Sequence, residues 1–108
     1  AVWKAVVSWP VLAKDTVGKQ LIRAADSVGA NIAEGFGRGS YQDNRRFIRI
    51  ARGSLQETRY WLRRAHHREL LKQETIDAVQ PLIQRLSPML NGYLRSIGKT
   101  NTVITNDE

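Results

Sequence analysis

The stretch from Arg23 to Arg38 constrains the chain around it more than any other. Leu21, Ala25, Val28 and Ile32 recur at the three- and four-residue steps of one helical face, so this segment is predicted to be an amphipathic helix with a single buried side. Ala24, Ala25, Gly29, Ala30 and Ala33 are too small to fill space themselves, so a partner helix is expected to come close enough to touch the backbone. Arg23, Ser27, Asn31 and Glu34 step along the same helix as a polar line beside the apolar one. Gly35 and Gly37 follow, and are expected to stop the helix by adopting positive φ, as glycines beyond a helix C-terminus commonly do. A helix that needs close partners and then turns sharply belongs in an all-α bundle.

The rest of the chain supplies those partners. Val2 to Val7 is predicted as a short apolar helix ended by Trp9-Pro10, because the residue before a proline is pushed out of the helical region. It would span only ~12 Å, against ~40 Å for the longest helix that follows. Val11 to Lys14 is read as a connector. Asp15 or Thr16 is read as the N-cap of a second helix running to Glu34. Phe36 to Gly39 makes a hinge, and Ser40 to Asp43 resembles a capping box with aspartate in the glutamate position.

The third helix is placed at Tyr41 to His67, with Ile48, Ala51, Leu55, Thr58, Leu62 and Ala65 alternating by three and four as a bundle seam does. Gly53 inside it costs roughly 1 kcal/mol relative to alanine, so a close backbone approach is expected there. Glu69 to Lys72 turns the chain into a fourth helix, Gln73 to Ile97, seamed by Ile76, Val79, Ile83, Leu86, Leu90, Tyr93 and Ile97. Pro81 and Pro88 lie inside it and should bend it. Residues 1–98 form the predicted domain, an antiparallel up-down four-helix bundle with a short or truncated first helix. Residues 99–108 form a polar tail without periodicity, expected to be mobile.

Charge is distributed unevenly. Arg38 to Arg68 holds nine arginines against Asp43 and Glu57, so this segment alone carries the net charge of +7, and the remaining charges cancel. There is no cysteine, which excludes disulfides and thiolate metal sites. No apolar run approaches the ~20 residues of a membrane span, and no signal peptide is visible, so a cytoplasmic location is expected. The chain begins with alanine, so the biological N-terminus is expected further upstream.

Ser27-Val28-Gly29-Ala30-Asn31-Ile32-Ala33-Glu34-Gly35-Phe36-Gly37-Arg38 resembles the signature of the small four helix bundle protein family. That family includes proteins encoded in ribosomal-RNA intervening sequences, and it is distantly similar to the accessory variability determinants of diversity-generating retroelements. The likeness extends back through Asp15-Thr16-Val17-Gly18-Lys19-Gln20 and forward through Ala51-Arg52-Gly53-Ser54-Leu55-Gln56-Glu57-Thr58, then more weakly to Leu90-Asn91-Gly92. The resemblance implies a homo-oligomer, specifically a pentamer, and brings no catalytic residues with it. It also raises a reverse transcriptase as a partner.

Arg45, Arg49, Arg52, Arg59 and Arg63 fall on one flank of the third-helix seam, with Arg46, Arg64 and Arg68 on the outer face. A row of guanidinium groups can follow the phosphates of RNA or DNA, since each offers forked donors and keeps its charge. The competing reading is a solvated face, or an intersubunit ion-pair seam with Glu34, Glu57 or Asp26; phosphate binding is favoured. For Arg23, Ser27, Asn31 and Glu34 the favoured reading is a structural network at a helix or subunit interface, because buried polar groups are usually satisfied. His66, His67 and Glu69 lack the spacing of a bundle metal site, since adjacent helical residues point about 100° apart. Trp3, Trp9, Trp61, Tyr41 and Tyr60 are spaced like core and interface residues. Gly35 to Gly39 superficially suggests a phosphate loop, but no strand precedes it. No catalytic motif, metal site or cofactor motif is found, so a non-enzyme is expected, either a nucleic-acid-binding accessory protein or a protein-interaction scaffold.

Overall fold

The computed structural model describes residues 2–98; the polar tail expected over 99–108 lies outside the described residues. Helix α1 (Val2–Val7) is followed after Pro10 by α2 (Val11–Ala13), a single π-helical turn (Lys14–Gly18) and α3 (Lys19–Phe36), which join into one continuous rod. Helices α4 (Tyr41–His67) and α5 (Gln73–Ser96) complete an all-α helical bundle, with no strand among the described residues.

The rod begins five residues before Thr16, so the expected connector at Val11 to Lys14 is helical instead. Pro10, with φ −56° and ψ 152°, sits at the N-cap, where its missing amide hydrogen costs nothing because the first amides of a helix lack partners anyway. Thr16 caps nothing. Its hydroxyl donates back to the carbonyl of Leu12 at 2.8 Å, as a threonine inside a helix does.

The glycines also act differently from expectation. Neither Gly35 nor Gly37 uses positive φ, and Gly37 ends the rod at φ −81°. Gly35 provides space: a Cβ there would lie 2.9 Å from Asn44 Oδ1 and 3.3 Å from the Asn44 carbonyl oxygen, so α3 and α4 touch at this point. Gly18 does the same for α1, since a Cβ would meet Val6 Cγ1 at 2.6 Å. At Gly29 and Gly53 no other described residue comes within 4 Å of a Cβ, and Ala30 and Ala33 are exposed. The close approach expected at those positions is therefore not made among the described residues.

Ser40 caps α4 by accepting from the Asp43 amide at 3.1 Å. The seam of α4 is buried as its spacing predicts: Ile48, Ala51, Leu55, Thr58 and Ala65 are inside, with Leu62 half-buried. After α4 the left-handed conformation falls to a residue other than glycine. Glu69 has φ 59°, the Leu70 amide returns to the Ala65 carbonyl, and the Glu69 amide to that of His66. Helix α5 then continues through both Pro81 and Pro88.

Two apolar clusters result. Val28, Ile48, Leu55, Val79, Ile83, Leu90 and Ile97 join α3, α4 and α5. Val6, Trp9, Val17, Leu21 and Ala65 seal the end near α1. Cross-helix pairs climb α4 while they descend α3 (Gly35 with Asn44, Ser27 with Ser54, Arg23 with Glu57). The molecule is elongated, 56 × 23 × 17 Å, with a radius of gyration of 16.7 Å, against ~13 Å for a compact domain of this size. Much apolar surface stays uncovered, including Trp3, Val7, Val11 and Leu12 at one end and Leu82 and Met89 on α5.

Candidate nucleic-acid interface

The arginine flank of α4 divides into two sets. Arg45, Arg52 and Arg59, seven residues apart, are half-buried and reach α5 and its C-terminal end. Arg45 Nη1 donates to the Ile97 carbonyl at 3.1 Å, Arg52 Nη1 to Asn91 Oδ1 at 2.9 Å, and Arg59 Nη2 to the Ile83 carbonyl at 3.4 Å. These groups spend donors on holding α5 against α4.

The second set is open. Arg49 and Arg63 are exposed, and their guanidinium groups make no hydrogen bond or ion pair to another described residue; the same holds for Arg64 and Arg68. They belong to a wider exposed face. Gln42, Arg46, Arg49, Gly53, Gln56, Tyr60, Arg63 and His67 alternate by four and three along α4, and all are exposed. No acid lies among them. The two acids of the segment are turned elsewhere, Glu57 paired with Arg23 and Asp43 in the first turn of α4. From Arg46 to Arg64 the face runs for ~27 Å of helix axis. At its N-terminal end, Arg46 and Arg38 both lie over the Phe47 ring, 5.5 and 4.6 Å from its centroid, and Arg38 also pairs with Glu34 at 2.6 Å.

The polar line of α3 makes local and cross-helix bonds. Asn31 Nδ2 donates to the Ser27 carbonyl at 2.8 Å and to Ser27 Oγ at 2.9 Å, and Ser27 Oγ meets Ser54 Oγ at 2.9 Å. Arg23 reaches Glu57 on α4, whereas Glu34 binds Arg38 of the hinge instead of an arginine of α4. The structure thus brings Ser27 and Asn31 together and leaves Arg23 and Glu34 at the two ends of the line, each with its own partner. His66 and His67 are exposed, and among the described residues no three His, Cys, Asp or Glu side chains gather as metal ligands. Trp9 is buried, whereas Trp3, Tyr41 and Tyr60 are exposed. Asn91 on α5 accepts from Arg52, and Asn44 Nδ2 donates to the Tyr93 hydroxyl at 3.1 Å; Tyr93 lies on the seam its spacing predicts, whereas Asn91 stands about 100° round from Leu90, where no spacing marks it as a partner.

An elongated all-α bundle with one acid-free basic helix face defines a small helical protein built around a charged surface. A family model described as 23S rRNA-intervening sequence protein matches residues 1–92, and the chain belongs to that family. No curated protein and no solved structure matches it. Among the described residues no helix is long and apolar enough to cross a membrane.

Proposed function

We propose that this protein is a non-catalytic, cytoplasmic accessory protein that binds the phosphate backbone of RNA or DNA through the exposed face of α4. The observation that carries this reading is the run of guanidinium groups at Arg49, Arg63, Arg64 and Arg68, without a partner among the described residues, on a face of α4 with no acid. Phosphate contacts of this kind give affinity with little sequence preference, because base identity is read by groups reaching base edges in the grooves. The family's name, which ties it to an intervening sequence of 23S rRNA, agrees with a nucleic-acid setting.

The bundle is an up-down arrangement of four helices that assembles with copies of itself, a pentamer by resemblance. Support comes from the uncovered apolar corner of Trp3, Val7, Val11 and Leu12, since contiguous patches of this sort usually mark interfaces. The same corner favours a second reading, in which the chain is a scaffold for a protein partner such as a reverse transcriptase.

The two readings separate in a salt titration. Binding to a labelled RNA should weaken linearly on a logarithmic plot, with a slope of about 0.7–0.9 per phosphate engaged. No retention of RNA or DNA at ~50 mM salt, where such contacts are strongest, would contradict the nucleic-acid reading and leave the scaffold.

A further inference from the structure

Over the C-terminal half of α4 and the N-terminal half of α5, the two helices part and leave a cleft of about 480 Å³. Its floor is apolar: Leu62 from α4, with Val79 and Ile83 from α5, all continuous with the main core. Its α4 wall is cationic or a hydrogen-bond donor throughout, with Arg59, Arg63 and His66 on successive turns. Its α5 wall carries Gln80 and Gln84, one turn apart, which together offer amide donors and acceptors without charge. No acid lines the cleft. Arg63 has no partner among the described residues, and Arg59 holds the Ile83 carbonyl only at 3.4 Å.

This combination selects a narrow class of ligand. The size lies within the range of ~300–1,000 Å³ typical of small-molecule sites, too small for a duplex and suited to a single planar group. An apolar floor accepts the face of a base, neighbouring amides read its edge, and guanidinium groups on one side only take an anion attached to it. The cleft also opens beside the basic face already described, because Arg63 belongs to both.

We propose that the cleft holds one unstacked nucleotide of a single-stranded nucleic acid, with its base on Leu62, Val79 and Ile83, its base edge at Gln80 and Gln84, and its phosphate at Arg63 and His66. This rests on the nucleic-acid reading of α4 and deepens it: the preferred partner is a single strand, and the cleft adds a base contact to the phosphate contacts of the outer face.

The test uses the full chain in two arms. In the first, methyl NMR resonances of Leu62, Val79 and Ile83 are followed while AMP, ribose 5-phosphate or inorganic phosphate is added at millimolar concentration. AMP should move all three sets of methyl signals, and the two ligands without a base should not. In the second, a short single-stranded RNA is compared with the same strand carrying abasic sites and with its duplex at fixed salt. The intact strand should bind about tenfold tighter than the abasic one, the effect of moving one base face from water onto the apolar floor. Changing Gln80 and Gln84 to Ala should reduce that difference without abolishing it, whereas Arg63→Gln should weaken both strands. Equal binding of intact strand, abasic strand and duplex, with no methyl shifts, overturns the cleft proposal while the phosphate-binding reading stands. Methyl shifts with AMP but no retention of any strand overturn the single-strand assignment and the phosphate-binding reading together. Contacts from a second copy to the floor methyls, with AMP leaving them unmoved, show the cleft to be an oligomer interface and overturn it as well.

Discussion

Along α3, helix α4 meets Ala24, Ser27 and Gly35, whose small size lets the two backbones approach until Gly35 has no room for a Cβ. Along α5 it shares an apolar cluster, Ile48 and Leu55 with Val79, Ile83, Leu90 and Ile97, and is bridged beside it by the long side chains of Arg45, Arg52 and Arg59. The first junction is closed and gains from apolar burial and close packing. The second is bridged by flexible cations and parts into a cleft toward one end. One helix therefore has a side devoted to stability and a side on which charge remains available.

Opening the shared core should cost most. Ile48 of α4 is fully buried in the cluster that joins α3, α4 and α5, so Ile48→Ala should destabilise the fold by about 2–5 kcal/mol, read in denaturant unfolding. At Gly35 an added methyl collides with Asn44, and Gly35→Ala should cost about 1–3 kcal/mol. Gly53→Ala meets open space on the outer face of the same helix and should instead stabilise the isolated chain by roughly 0.5–1 kcal/mol. A loss of stability at Gly53 that grows with protein concentration would place a second copy against that face. At the bridged junction, Arg52→Gln removes the bond to Asn91 and should cost only about 0.5–1.5 kcal/mol in the same measurement, because both groups are partly hydrated.

The bounds of α4 and α5 were legible because long runs of three- and four-residue spacing leave one consistent register, and Ser40 marks the start of α4 with its own side chain. The start of the second rod was not. Asp15 and Thr16 have the chemistry of a cap, but Pro10 had already begun the helix, and the π turn at Lys14 to Gly18 carries it on without a break. Gly35 departs from expectation for a related reason: sequence shows that a Cβ is missing but not whether the gain is torsional or spatial, and here it is spatial. The division of the arginines lay further out of reach. Arg45 and Arg63 are separated by about five helical turns and share one bearing on α4. Arg45 finds the Ile97 carbonyl, whereas Arg63 faces the cleft, a difference set by where α5 lies and not by the periodicity of α4.

The central claim is that the arginines of one helix serve two purposes, Arg45, Arg52 and Arg59 holding α5 and Arg49, Arg63 and Arg64 remaining for phosphate. Two triple variants, each with one set changed to glutamine, should be compared side by side for the salt dependence of RNA binding and for the unfolding midpoint. Changing Arg49, Arg63 and Arg64 should lower the logarithmic salt slope by about 2–3, at roughly 0.7–0.9 for each phosphate no longer neutralised, with the unfolding midpoint unchanged. Changing Arg45, Arg52 and Arg59 should lower the midpoint and alter the slope less. Equal reduction of slope in both variants, or unfolding of the first and not the second, would contradict the account.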